Sequence, residues 1–352
     1  MIRFRHVLFT GICVLGTAAL TGCRLVDEDV SDCSEQELKV DYELQLVTNM
    51  RTEIQTVFDL QTDIQVATTL QERLGEVFTD YAHDVDLSFY DTVEPMALLE
   101  HFGVVMDASE SSYSLILPGR PYTHTCVANL EAEPFITLED GEYCRTARLV
   151  QHPEIKDTVS AHTTGIFSAR QSMDVLTGVD QQFDVELYMV NAATALVLDM
   201  ADAPEVKDIR VFLHGFADGF NIADSTYTFA SKQIVRTNLL PAQPGSTERC
   251  YTSIHFPSRD VDTGTKMIID VQDPDRDKSS EEILWYWEVL ATLNDGSVTQ
   301  TILGSHNPLH AAQLKALKAV VHADGGVASQ DHTVGASVTL DWDEGLDIDV
   351  PF

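Results

Sequence analysis

Apolar and polar residues alternate almost without fault over 38–46, so Leu38, Val40, Tyr42, Leu44 and Leu46 share one face of a half-buried strand. The period then changes. Thr69-Leu70-Gln71-Glu72 has the form of a capping box, and Leu70, Leu74, Val77, Phe78 and Tyr81 follow at helical spacing, predicting one amphipathic helix. Strand period returns over 85–90, and Pro95 at a first helical turn opens a short helix through Leu98 and Phe102. Residues 113–117, turned by Pro118-Gly119, lead into 122–128 and predict a hairpin.

Over 131–173 no period persists. Prolines, acids, His152, His162 and a turn at Gly165 predict long loops around a domain boundary. Strand pattern resumes over 183–190, 195–200, 209–213, 227–229, 233–239, 252–256, 267–271, 283–293, 298–303 and 338–342. After Asn307-Pro308 the chain reads either as a helix through Leu309, Ala312, Ala316 and Val320 or as a strand over 314–321 before Gly325-Gly326. Many short strands joined by turns predict a mainly β chain built of sandwiches, with one or two short helices.

Length divides this pattern. A chain of 352 residues and 39.0 kDa exceeds the roughly 250–300 residues at which single cores stop growing, so two domains are expected. With 44% apolar and 22% charged residues it has the composition of a globular chain. The 22 Lys+Arg against 56 Asp+Glu give a net charge of −34. That excess argues against a nucleic-acid partner, since such binding rests on cations displacing counterions from phosphates.

Arg3 and Arg5 form a basic start, residues 7–20 an apolar stretch too short for a permanent span, and Leu20-Thr21-Gly22-Cys23 closes it. The segment resembles a lipoprotein signal with its lipobox. The resemblance implies cleavage of residues 1–22 and acylation of Cys23, and several chains on one residue give stable anchoring at about 0.8 kcal/mol per buried methylene. The mature chain of 330 residues would carry a net charge of −36, since residues 1–22 hold two arginines and no acid. The following Asp27-Glu28-Asp29 resembles an acidic signal for the outer face of the outer membrane, or is a solvated acidic linker.

Four cysteines remain for the folded part: Cys33, Cys126, Cys144 and Cys250. An exported chain permits disulfides and four cysteines allow three full pairings; Cys126 with Cys144, the nearest in sequence, is the preferred bridge. With no C-x-x-C, a zinc ribbon or thioredoxin site has no support.

Catalytic signatures are missing: the G-x-S-x-G elbow, the phosphate loop, the dinucleotide fingerprint and H-E-x-x-H do not occur. His214-Gly215 reads as a strand end rather than an oxyanion loop, because no nucleophile motif accompanies it. Asp273, Asp275 and Asp277 could gather oxygens around Ca²⁺, but Lys278 and Leu284 stand where an EF-hand loop needs Gly and Glu, so an acidic turn is the plainer reading. The acids Asp341, Asp343, Glu344, Asp347 and Asp349 alternate with Trp342, Leu346, Ile348 and Val350 as in a terminal strand with a solvated acidic face. Trp285, Tyr286 and Trp287 offer either a sugar-binding platform or, with Trp285 and Trp287 on one face, core packing. An exported hydrolase with scattered carboxylates is the remaining catalytic reading. The expectation is a chain without enzyme activity, cofactor or metal.

The order of features carries a resemblance: lipobox, acidic tether, Asp32-Cys33, a strand ending near Asn49-Met50, Asp86-Leu87-Ser88-Phe89-Tyr90-Asp91, Leu117-Pro118-Gly119-Arg120-Pro121-Tyr122, Ile166-Phe167-Ser168-Ala169-Arg170, then Val185-Glu186-Leu187, Ala195-Leu196-Val197-Leu198 and Ile209-Arg210-Val211. In this order the chain resembles the FimB-type fimbrial anchor lipoproteins of Gram-negative gut and oral anaerobes. The resemblance implies two tandem transthyretin-like β-sandwich domains after a signal over 1–22 and a lipidated tether over 23–34, divided as 35–165 and 166–352. It further implies an outer-membrane, cell-surface lipoprotein that anchors or regulates fimbriae and takes fimbrial subunits as partners by strand addition. The weak pattern over 131–160 and the cysteines Cys126 and Cys144 depart from the family, which leaves a tip or accessory subunit, or a surface adhesin or carbohydrate-binding lipoprotein, as alternatives.

Overall fold

The computed structural model describes residues 37–47, 51–52, 84–103, 112–176, 181–242, 244–260, 283–329 and 334–341. Strands dominate them. The first part of the chain holds β1 (Glu37–Val47), β2 (Arg51–Thr52), β3 (Val85–Tyr90), β4 (Leu98–Phe102), β5 (Ser112–Pro118), β6 (Pro121–Ala128), β7 (Ile136–Glu139), a 3-10 turn at Cys144–Thr146, β8 (Arg148–Gln151), β9 (Thr158–Ser160), β10 (Phe167–Asp174) and β11 (Gln181–Met189). The rest holds β12 (Ala192–Asp199), β13 (Val206–His214), β14 (Gly219–Asn221), β15 (Thr226–Thr228), β16 (Ile234–Arg236), β17 (Asn238–Leu239), β18 (Glu248–His255), β19 (Trp285–Leu293), β20 (Val298–Ser305), β21 (Gln313–Val321), β22 (Val327–Ser329) and β23 (Val334–Asp341). The mainly β sandwich architecture expected from the pattern is the one observed.

Four sheets result. The first runs β4-β3-β6-β10-β11-β1-β5, the second β17-β18-β12-β21-β2 with β22 on β21, the third β23-β20-β19-β13-β16-β9 and the fourth β15-β14-β8-β7. Two residues separate β5 from β6 along the chain, yet three strands lie between them in the sheet. A flat sheet would hold them about 19 Å apart, whereas three Cα steps reach about 11 Å at most. The first sheet therefore curls. It parts between β10 and β11, which pair only at Phe167↔Met189 and Ser168↔Tyr188. Beyond that point glutamine side chains replace the ladder: Gln171 Nε2 donates to the Asp184 carbonyl at 3.4 Å and Gln181 Nε2 to the Asp174 carbonyl at 3.3 Å. Leu87, Phe89 and Tyr122 from one half meet Leu115, Leu117 and Val185 from the other in a shared cluster.

The second sheet is buried on both faces. Along β12, Ala193, Ala195 and Val197 join the cluster of the first sheet, while Ala192, Leu196 and Leu198 join Val211, Leu213, Trp285, Trp287 and Val289 of the third. This is why β12 reads as an unbroken apolar run rather than an alternating one. The fourth sheet covers the outer face of the first through Leu149, Phe220 and Ile222, which pack with Tyr90, Val127 and Ile166.

Three expectations change. The segment after Pro95 is no helix: Met96 lies at φ 60°, its N–H meets the Val93 carbonyl at 2.8 Å, and a tight turn delivers β4, which pairs with β3. A register shift within β4 sends Leu98 to the cluster that holds Tyr90, and Leu99 and Phe102 to the one that holds Phe89, so the four-residue spacing marks no common face. The hairpin over 113–128 does not form either, because β6 takes β3 and β10 as neighbours while β5 crosses to β1. Finally, 131–173 holds β7, β8, β9 and most of β10; the first three have three or four residues each, too few to show a period. Buried carboxylates fix that region. Asp84 Oδ2 accepts from the N–H groups of Leu130 and Glu131 at 2.7 Å each, and Glu133 Oε1 from those of Thr163 and Thr164 at 2.5 and 3.0 Å. After Asn307-Pro308 the strand reading holds, as β21. The helix over 69–81 and the strand over 267–271 fall outside the described residues.

Candidate docking edge

Most residues singled out for chemistry are structural. Trp285 and Trp287 are 1% and 0% exposed, edge to face with ring centroids 4.5 Å apart, so they form core and not a sugar platform. Tyr286, on the opposite face, stacks on His214 at 4.4 Å. His214 is the last residue of β13, and its Nε2 lies 2.8 Å from Glu288 Oε2. That bond and a second from Gln300 hold the Glu288 carboxyl below its usual range, against a burial that pushes it up. Gly215 at φ 92° turns the chain where a Cβ would lie 2.5 Å from the Leu284 carbonyl.

Cys126 and Cys144 are free thiols here, which corrects the bridge expected between them. Alternation along β6 turns Cys126 into the cluster between the halves of the first sheet and Val127 the other way, toward the cluster that holds Cys144. Burial pushes both thiols up, and Arg170 partly offsets this at Cys144. Cys23 and the acidic turn of Asp273, Asp275 and Asp277 lie outside the described residues. Among the described residues no group of three His, Cys, Asp or Glu could hold a metal, and no helix is long and apolar enough to cross a membrane.

What the fold does present is an edge. β5 pairs antiparallel with β1 from Glu37↔Pro118 to Glu43↔Ser112, and its other side has no strand among the described residues. Leu115 and Leu117 are 3% and 0% exposed in the core, while Ile116 between them is 60% exposed. Up to its last residue, Pro118, the strand Ser-Tyr-Ser-Leu-Ile-Leu-Pro has no charge, no inward-pointing ion and no bulge, features that blunt edges against strand addition. Other edges are short or guarded: β2 and β17 have two residues, β9 and β15 three, β7 four, and β4 carries exposed Glu100 and His101 and faces a register shift. Among the described residues only β23 is a comparably long edge, and it lies at the far side of the third sheet.

β1 gives β5 its setting. It is an interior strand, paired with β5 on one side and in parallel with β11 from Val40↔Gln181 to Val47↔Tyr188 on the other. Reading 113–128 as a hairpin hid the edge, since a hairpin partner would have occupied it. The signal that exposes it is the run from Ser111 to Gly119, nine residues without a charge in a chain of which 22% is charged.

Neither the protein-family models nor the curated proteins compared with this chain give a match. Solved structures do. The fimbrial anchor protein Mfa2 from Porphyromonas gingivalis is similar at 10% identity and a TM-score of 0.45, over 86% of this chain and 98% of that one. A protein of Bacteroides ovatus provisionally called an adhesin is similar at 11% identity and a TM-score of 0.49, over 88% and 97%. A Bacteroides thetaiotaomicron protein provisionally called polysaccharide-binding gives 8% identity and a TM-score of 0.47, over 85% and 98%.

Proposed function

We propose that the protein is a cell-surface lipoprotein that anchors fimbriae or regulates their assembly, held in the outer membrane by acyl chains on Cys23, and that it receives a fimbrial subunit by strand addition along β5. The reading is non-catalytic. The observation that carries it is the setting of β1, the first described strand after the tether, clamped between β11 and the open edge β5. A strand added to β5 lies one strand away from the segment that leads to the lipid. Tension between filament and membrane then runs along antiparallel and parallel ladders in shear, loading their bonds together rather than one at a time. The feature order of the sequence supports the same reading.

Deleting the gene is the direct test: fimbriae shed into the medium or altered in length support the proposal, and attached fimbriae of normal length overturn it. At the residue level, Ile116→Glu places a charge on an exposed position and leaves stability within about 0.5 kcal/mol. Capture of purified fimbrial subunits by this variant is expected to weaken about tenfold, or about 1.4 kcal/mol. Unchanged capture would move the docking site away from β5.

A further inference from the structure

A cleft of about 320 Å³ opens where β13 outlasts its neighbour. β16 pairs with β13 only from Phe212 to His214, after which the chain leaves the third sheet for β17 in the second. The backbone acceptors there are already engaged: Tyr251 Oη donates to the Ile209 carbonyl at 3.1 Å and Thr237 Oγ1 to the Val211 carbonyl at 2.8 Å. An added strand would find them taken. Apolar side chains supply the walls, Phe212, Ile234 and Leu290 from the third sheet and the exposed Leu239 from the second. The volume falls at the lower end of the roughly 300–1,000 Å³ of small-ligand clefts. An apolar cavity of about 150 Å³ takes one benzene, so a cleft of about 320 Å³ takes an apolar body of about ten carbons.

Its charge runs against the whole molecule. Both acids on the cleft are committed: Glu154 Oε2 to Arg236 at 2.9 Å, and Glu288 to His214 through Oε2 at 2.8 Å and to Gln300 through Oε1 at 2.6 Å. Lys156 and Arg210, also on the cleft, have no ion pair among the described residues. Each stands on fixed backbone. Lys156 sits in a tight turn whose Thr158 N–H donates to the Ile155 carbonyl at 2.9 Å, and Arg210 lies in the ladder of β13 with β19, opposite Leu290. Asp208, two residues before Arg210, lies off the cleft.

Two uncommitted cations beside apolar walls stand out in a chain of net charge −34, and they select an anion. Walls without a free strand edge, around so small a volume, select a small molecule over a peptide strand. We infer that the cleft binds a small amphiphilic anion, a carboxylate on an apolar body of about ten carbons, with the carboxylate against Arg210 and Lys156 and the body against Phe212, Ile234, Leu239 and Leu290. The site makes no use of β5 and is independent of the docking reading for that edge.

Titration calorimetry of the full chain in detergent-free buffer tests it, with decanoate below its micelle threshold as the probe. A single saturable site is expected, about tenfold tighter for decanoate than for decanol, which lacks the charge, decyltrimethylammonium, which reverses it, or acetate, which lacks the apolar body. Lys156 is exposed and Arg210 half-buried, so Lys156→Glu with Arg210→Glu should leave the melting temperature unchanged. The double variant should bind decanoate about tenfold more weakly and prefer decyltrimethylammonium, a gain that a misfolded chain would not show. Decanoate binding that does not saturate, decanol or acetate binding as tightly as decanoate, or a preference untouched by the double reversal would each overturn the inference.

Discussion

Acidification from pH 7 to pH 5 strikes three histidines that the fold holds neutral. His124 stacks on Phe89 at 4.4 Å with its Nδ1 3.1 Å from the Ser88 carbonyl. His255 lies with Nδ1 2.7 Å from the Phe256 carbonyl and Nε2 3.3 Å from Thr194 Oγ1, and His162 packs edge-on against Phe256 with its Nε2 buried and unpartnered. Burial lowers His124 and His255 to about 4, and burial together with the neighbouring His255 lowers His162 to about 3. Each folded-state value lies below the unfolded one. The unfolded chain therefore takes up protons first as pH falls through 6.5, and stability present above that point is lost progressively toward pH 4. By linkage each histidine forfeits about 2 kcal/mol between pH 7 and pH 5, or about 5–6 kcal/mol for the three. That equals much of the roughly 5–15 kcal/mol that keeps a domain folded. Glu133, raised by burial, shifts in the opposite sense and offsets part of the loss. Urea unfolding at the two pH values measures the difference. Equal unfolding free energies at pH 5 and pH 7, or a loss undiminished when His162 and His255 are both replaced by Gln, would refute the reasoning.

Gly215→Ala forces a Cβ to within 2.5 Å of the Leu284 carbonyl at φ 92° and should cost about 2–4 kcal/mol, read as a lowered melting temperature. Asn191→Ala strips a fully buried amide that donates to the Thr164 carbonyl at 2.9 Å and accepts from the Ile166 N–H at 3.2 Å; about 2–4 kcal/mol of destabilisation is expected in denaturant titrations, and less than 1 would contradict the buried network. Trp287→Ala empties a site 0% exposed between the second and third sheets, for about 3–5 kcal/mol, and the native protein should show the blue-shifted emission of buried indoles.

Strand existence was legible in the sequence wherever one face meets a core. β19 shows it best: Trp285, Trp287, Val289 and Ala291 are buried in one cluster and Tyr286 and Glu288 turn away, as a period of two requires. Strand partners were less legible, because pairing is a property of the curled sheet and not of neighbouring segments. Pro118-Gly119 marks a turn correctly, but the turn joins the edge strand β5 to β6, an interior strand of the sheet's other half, and not the arms of a hairpin. The same limit applied to Cys126 and Cys144: eighteen positions apart in sequence, Cys126 on β6 and Cys144 in the 3-10 turn belong to clusters on opposite sides of that strand. Short strands such as β9, which pairs in parallel with β16 far along the chain, leave no local trace at all.

The net charge of the chain and its open edge explain each other. An uncharged seven-residue edge is a hazard in a neutral protein, because a second copy offers the same edge and antiparallel self-pairing needs no further design. Here each copy carries a net charge of −34, and two copies brought edge to edge would set these charges against each other over a contact of a few strands. Salt with a Debye length of about 8 Å screens distant pairs but not those near the contact. The repulsion guards β5 globally, so the strand itself needs no lysine or inward-pointing acid to prevent self-addition. A less acidic partner would escape most of that repulsion and meet an edge that no strand among the described residues covers. If β5 receives a subunit as proposed, selectivity there rests on the charge of the whole approaching molecule, and the residues of the edge are left free to pair.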